Sequence, residues 1–433
     1  GRNDVISTLD PKYHSYFYPS VGLSAVLSDV LKLPEAISFL KVRTSWAQLN
    51  SGVVDANNPY AYIQTYGIGN KWNNTPSLNW PTTLIDPRLI PNSTHALESG
   101  VAAGFFKNRL NVDVTYFRNT LYNNFADVAL SEASGYKTLL ANANVYLRKG
   151  WEFMISGTPF KTDDFQWETG FNFSNNHEYL QKADNSMDGY IQDPNNANAQ
   201  LKVGERMDKI LLNNSLTPDG RVIYGTNGMP AESSSPVYNQ YVGNSDPAWI
   251  YGWQNTFNYK GFSLSFSFDG RLGGYIYSST NQKMWWGGTD PGTVNQYRDD
   301  ANAGKSTYIG KGVVVTSGSV SYDSHGNISS DNRQYAPNTT AVNYISYMTT
   351  TSDQQDHNYF YYSGTYLKLR ELALTYNLPK RWIKGAFSDA SISLVGNNLF
   401  LWAKLPNIDP DAEEDNLQTP SMRSIGVNIN LKF

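Results

Sequence analysis

The sequence predicts an all-β fold: a transmembrane antiparallel β-barrel to which this chain contributes about eleven strands. Three observations carry that expectation. Apolar and polar residues alternate with period two in long stretches along the chain. The joins between those stretches are alternately short and long. No window approaches the ~18 uninterrupted apolar residues that a membrane helix needs, which leaves strands as the means of crossing a bilayer.

The last stretch shows the period most clearly. Ile425, Val427, Ile429, Leu431 and Phe433 are apolar, and Gly426, Asn428, Asn430 and Lys432 separate them. Upstream, Phe262, Leu264, Phe266 and Phe268 alternate with Ser263, Ser265, Ser267 and Asp269. Trp249, Tyr251, Trp253, Phe257 and Tyr259 alternate with Gly252, Gln254, Thr256 and Asn258. Phe165, Trp167, Phe171 and Phe173 repeat the pattern, as do Leu110, Val112, Val114 and Tyr116. Leu40, Val42, Thr44 and Trp46 oppose Lys41, Arg43 and Ser45. Ile392, Leu394 and Gly396 oppose Ser391, Ser393 and Asn397, with Val395 breaking the polar side. The expected strands are 16–28, 37–49, 93–106, 108–121, 145–160, 164–178, 247–260, 261–275, 359–378, 389–402 and 421–433. Many exceed the usual globular strand and suit a tilted membrane strand of ~9–11 residues.

Short joins fall near 29–36, 107, 161–163, 260–261 and 379–388, and long ones at 50–92, 122–144, 179–246, 276–358 and 403–420. Short periplasmic turns and long extracellular loops are the pattern of an outer-membrane barrel. The last strand then ends in the periplasm, and counting back places residues 1–15 outside. Bacterial barrels have even strand numbers, so an odd count predicts that earlier strands precede residue 1, as in half of a plugged barrel of about 22 strands. Aromatic groups Tyr16 to Tyr18, Trp249 to Trp253 and Tyr359 to Tyr362 read as interfacial girdles.

Composition excludes several classes. The 433 residues contain no cysteine, so there is neither a disulfide scaffold nor a thiolate metal site. A net charge of −4 gives no reason to expect nucleic acid. The five histidines form no HxxxH or HExxH pair, and GxSxG, P-loop and GxGxxG motifs are absent. An enzyme is therefore not expected, nor a cofactor. The run Asp409, Asp411, Glu413, Glu414 and Asp415 offers oxygen ligands for Ca²⁺ but lacks the glycine and spacing of an EF-hand; the competing reading is a solvated loop. Trp72, Trp285, Trp286 and Tyr335 lie in long loops and are the candidate substrate-binding residues, since aromatic rings stack on sugar faces and pack peptide side chains. Loop self-packing is the alternative for each.

Several phrases resemble the SusC/RagA family of TonB-dependent transporters. Tyr366 to Glu371, running on to Leu374-Thr375-Tyr376-Asn377-Leu378-Pro379, is similar to its "YLRLK…LGYNLP" segment. Val395 to Trp402 resembles "GQNLFTWT", and Asp409-Pro410-Asp411 follows. Tyr259-Lys260-Gly261-Phe262-Ser263-Leu264 resembles "YKGFSLS". Ala141-Asn142-Ala143 with Lys149-Gly150-Trp151-Glu152 resembles "NAG…NKGVE", and Tyr18-Pro19-Ser20-Val21 resembles "FPSVS". Trp151 stands where the family has a small aliphatic residue, and Asn397 where it has Gln.

The resemblance implies the carboxy-terminal part of such a barrel over residues 1–433, with plug and first strands elsewhere. It implies outer-membrane location, a SusD-like surface lipoprotein as lid, and drive from the TonB complex through the missing amino-terminal part. It implies oligosaccharides or oligopeptides as substrates. Membrane lipid surrounds the barrel. The lid contacts are expected on loops 50–92, 179–246 and 276–358. A passive porin and a structural or adhesin barrel are the alternatives.

Overall fold

The computed structural model describes residues 1–52, 60, 62–183, 188–354, 357–383, 387–411, 415, 417 and 419–433. One 11-stranded sheet dominates, and its strands neighbour one another in chain order. They are β1 (Ser20–Val26), β2 (Ile37–Ser51), β3 (Asn92–Phe105), β4 (Leu110–Tyr122), β5 (Val145–Lys161) and β6 (Phe165–Lys182). β7 (Trp249–Tyr259), β8 (Phe262–Leu272), β9 (Tyr366–Asn377), β10 (Asp389–Ala403) and β11 (Ser424–Lys432) complete it. The alternation of short and long joins is present as expected. The tightest join is Lys260-Gly261, with φ of 45° and 93°. Positive φ at both central residues gives the two-residue turn whose twist matches paired strands.

Two compact units divide the chain. One is Gly1–Ile155 with Asn176–Ile191 and Leu201–Met207, and the other is Ser156–Asn175 with Gln192–Gln200 and Asp208–Phe433.

In the second unit the register sorts residues by face. Phe257, Leu264, Leu374, Leu394 and Val427 form one row across five strands, and Tyr259, Phe262, Tyr376, Ile392 and Ile429 form the next. Leu374, Leu394 and Val427 are all exposed. The intervening row, Asn258, Ser263, Thr375, Ser393 and Asn428, turns to the other face. In the first unit, Ala25, Val42, Val101 and Val114 share a row, and Ser24, Arg43, Gly100 and Thr115 lie on its reverse. A water-soluble protein does not leave apolar rows of this extent uncovered. Hydrocarbon is the solvent that they fit, and the apolar face is the lipid face.

Cross-strand contacts hold each face. Arg43 reaches over Gly100 to form a two-pronged pair with Asp113, at 2.9 and 2.7 Å. A Cβ on Gly100 would lie 2.7 Å from the guanidinium carbon, so only glycine leaves the bridge room. On the lipid face Phe160 stacks on Trp167, and Trp167 on Phe257. Phe257 stacks in turn on Phe266.

β9 contains a phase slip. Leu367 and Leu369 face lipid, then Leu372, Leu374 and Tyr376 do so with the parity shifted by one. The register to β8 shifts between Ser267 and Phe268, which leaves Arg370 as the extra residue of a bulge. The register to β10 shifts at the same height. The bulge sends both Arg370 and Glu371 to the polar face. Val395 faces Ala373 there, a small apolar patch on the polar side.

Three expected strands end differently. Ser15–Tyr18 pairs with Arg2–Val5 rather than with the main sheet, which begins at Ser20. Tyr275–Tyr277 and Tyr361–Ser363 pair with each other beyond the ends of β8 and β9. Tyr16, Tyr18, Tyr361 and Tyr362 therefore belong to strands outside the main sheet, not to a lipid-facing girdle.

Candidate functional site

The long joins on either side of β7 and β8 build a packed body in the second unit. Its core is Tyr224, Ala301, Val342, Tyr344, Tyr347 and Met348, with Trp285 and Tyr308 packed against it. Short pairings tie the two joins together: Ile223-Tyr224 runs parallel to Val313-Val314, and Val313 pairs in turn with Pro337. Gly310 and Gly312 lie flat on the Tyr224 ring, where any Cβ would collide.

Three α-helices stand in this body among the described residues: α1 (Ser279–Trp286), α2 (Gln296–Asn302) and α3 (Tyr344–Asp353). Side chains that precede each helix cap its free N–H groups, as such short helices need. The side chains of Asn295 and Asn343 accept from Arg298 and Ser346. Ser278 accepts from the Asn281 N–H at 3.1 Å and donates to Asp415 at 2.6 Å. Asp415 also accepts from the Thr280 N–H at 2.9 Å and its hydroxyl at 2.7 Å. A carboxylate at a helix start is stabilised by the free N–H dipoles. α1 is joined to α3 by Gln282, which donates to the Ser352 carbonyl at 2.7 Å. Tyr347 is buried beside Tyr224 and Tyr308, and burial pushes its hydroxyl pKa up.

A charged cluster fixes the last long join to the wall. The Lys368 ammonium is almost wholly buried, with 1% of its side chain exposed. It donates to Asp409 at 2.6 Å, Asp411 at 3.2 Å and Ser421 at 2.6 Å. Arg370 forks onto Asp269 through two bonds of 2.7 Å and also grips Asp411. Tyr366 donates to Asp411 at 3.2 Å. Arg370 beside it holds the Asp411 carboxyl well below the usual range, at about 2.

The predicted site residues fall in different settings. Trp72 projects from a hairpin made of Gly67–Trp72 and Thr75–Asn79 and is 83% exposed. Trp286 is half exposed, whereas the adjacent Trp285 turns into the loop core, edge-on to Tyr344. Tyr335 is partly buried beneath Arg333, whose guanidinium lies 5.7 Å from its ring. Asp409 and Asp411 face Lys368 and Arg370, and Asp415 caps α1; Glu413 and Glu414 lie outside the described residues. Among the described residues no three acidic or histidine groups converge as a metal site. Sequence reasoning missed the cations of this cluster. The signal was there: two basic residues on the polar parity of a strand, ahead of Asp-Pro-Asp.

Comparison with known proteins agrees with the geometry. No family model matches the chain. TonB-dependent receptor P26 of Formosa agariphila is 22% identical over 100% of this chain and 44% of its own length. TonB-dependent receptor SusC of Bacteroides thetaiotaomicron is 21% identical over 96% of this chain and 40% of its own length. The chain superposes along its entire length on the solved RagAB peptide importer in its closed-closed state, with a TM-score of 0.71, 18% identity and 45% of that chain covered. The chain is an outer-membrane β-barrel chain similar in sequence and fold to SusC and RagA transporters. It spans less than half the length of the relatives it matches. Those relatives are receptors and transporters by name, not enzymes. The SusC/RagA-like phrases of the sequence map onto β5, the β7–β8 turn, β9, β10 and the Asp409-Asp411 cluster.

Proposed function

We propose that this SusC/RagA-like chain is part of an energy-dependent importer of oligosaccharides or oligopeptides across the bacterial outer membrane. In this reading a SusD-like surface lipoprotein covers the loops and TonB supplies the drive. The observation that carries it is the likeness to SusC and to the RagAB peptide importer along nearly all of the chain. The polar face of the sheet, with Ser263, Thr375, Ser393 and Asn428 in one row, suits a hydrated path. Trp72, Trp285, Trp286 and Tyr335 are the proposed ligand-contacting residues. The packed loop body and loop 50–92 are the proposed seat of the lipoprotein.

A native pull-down of the intact protein from outer membranes, followed by mass spectrometry, tests the reading. A SusD-like lipoprotein is expected, together with bound oligosaccharide or peptide. A barrel that comes down with no lipoprotein overturns it in favour of a porin or adhesin. Removing 276–358 deletes α1, α2 and α3 and with them most of the loop core, so co-purification of the lipoprotein should be lost. An intact pair after that deletion removes this loop from the proposed interface.

A further inference from the structure

Two cations stand on the lipid face at one height, and nothing in the proposed import uses them. On β4 the lipid-facing series Val112, Val114 and Tyr116 continues toward the long-join end with Arg118. β5 runs the opposite way, so its series Ile155, Phe153 and Trp151 leads outward to Lys149. The Tyr116 and Trp151 rings touch, with centroids 4.9 Å apart, so the two strands are in step there. Arg118 and Lys149 each lie two residues further outward on the same face, and are therefore side by side on neighbouring strands.

Their surroundings do not neutralise them. Arg118 is exposed and faces Leu97 across the pair, and its guanidinium has no acceptor among the described residues. The Lys149 ammonium lies 4.8 Å from the centre of the Tyr179 ring. Cations on the lipid face cost ~2–4 kcal/mol at mid-membrane and little near the interface. Arg118 lies eight residues beyond Leu110, the inner end of β4. At ~3.4 Å per residue and ~40° of tilt, that is about 20 Å of height, close to the upper edge of a ~25 Å apolar band. Trp46 lies opposite Leu97 at this level, as interfacial tryptophans do. What meets a protein at that edge is a lipid headgroup.

We propose that Arg118 and Lys149, with the Tyr116 and Trp151 rings beneath them, bind the phosphate of an outer-leaflet lipid headgroup. The guanidinium supplies paired donors to phosphate oxygens, the ammonium adds a second charge, and the rings pack against the first acyl carbons. This also gives Trp151 a role at the position where it departs from the family's small aliphatic residue. The proposal rests on the outer-membrane location and not on the import reading.

The test uses the intact protein purified from outer membranes, stripped of lipid, and offered lipid A with or without its phosphates; native mass spectrometry reads the bound fraction. Phosphorylated lipid A should be retained and the dephosphorylated form should not. R118Q/K149Q should weaken retention about 25-fold, at about fivefold per charge. W151L should lower retention of both forms and keep the preference. Equal retention of the two lipids by the unaltered protein, or full retention by R118Q/K149Q, overturns the proposal. Inorganic phosphate at millimolar concentration should leave the lipid in place; displacement would show a site for free phosphate and overturn the lipid assignment. If R118Q/K149Q does not assemble, the two-lipid comparison on the unaltered protein decides alone.

Discussion

At the scale of single residues, the Lys368 cluster makes the sharpest claims. Its ammonium is out of water, and Asp409, Asp411 and Ser421 are its hydrogen-bond partners among the described residues. Lys368→Met keeps the volume but leaves Asp409 without its cation, while Asp411 keeps only Arg370. Breaking one side of such a buried pair costs about 3–5 kcal/mol, so the 404–423 join should detach first. Limited proteolysis should cut 404–423 in the variant under conditions that spare the unaltered protein; equal resistance would refute the assignment. Acid tests the same contact from the other side. Asp411 titrates at about 2, below the ~3.9 of an unfolded aspartate. A depressed carboxyl contributes stability that is complete above the unfolded value and lost as pH falls through the folded one. The hydrogen-exchange protection of 404–411, corrected for the intrinsic pH dependence of exchange, should therefore be flat down to pH ~4 and fall between pH ~4 and ~2. A loss of protection centred near pH 6 would mean that another group holds the join. None of this was readable in the acidic run alone, because the partners lie some forty positions upstream on β9. The neighbours Trp285 and Trp286 show the same limit: successive residues of a helix point about 100° apart, and sequence does not say which one faces the core.

Elements were legible where period two was strong. All eleven strands of the sheet were visible in the sequence, since one lipid face and one polar face impose the alternation residue by residue. The errors came at aromatic runs such as Tyr16-Phe17-Tyr18 and Tyr359 to Tyr362, where several residues in succession are apolar enough for either face and no period marks the end. The small strands and helices of the loops gave no such signal, because packing within the loop body, not a membrane, decides which side chains are covered. The bulge in β9 yields a prediction at this scale. Arg370 is the unpaired residue against β8, so its removal restores simple alternation from Leu367 through Tyr376. Deleting Ala373 instead moves Leu374 to the polar face and Thr375 into lipid. Unboiled samples on a denaturing gel should show the compact, heat-modifiable barrel band for the Arg370 deletion and not for the Ala373 deletion. Loss of that band in both would mean that the bulge does not absorb the phase slip.

For the whole molecule the decisive feature is the pair of sheet edges. β1 and β11 each pair on one side only, with β2 and β10. β11 is exposed at every one of its residues, on both faces. Unpaired N–H and C=O groups in hydrocarbon cost several kcal/mol each, so a spanning sheet must close. The chain spans less than half the length of its relatives, and further strands of such a longer protein are the proposed closure. Residues 1–433 made alone should then give no heat-modifiable band in detergent or lipid. Supplying the remaining barrel strands, in one chain or as a separately made segment, should restore it. The competing way to close the edges is a second copy, with β1 of one copy against β11 of the other. A heat-modifiable band of twice the mass from residues 1–433 alone would select that arrangement, and the reading of this chain as part of a single larger barrel would have to be abandoned.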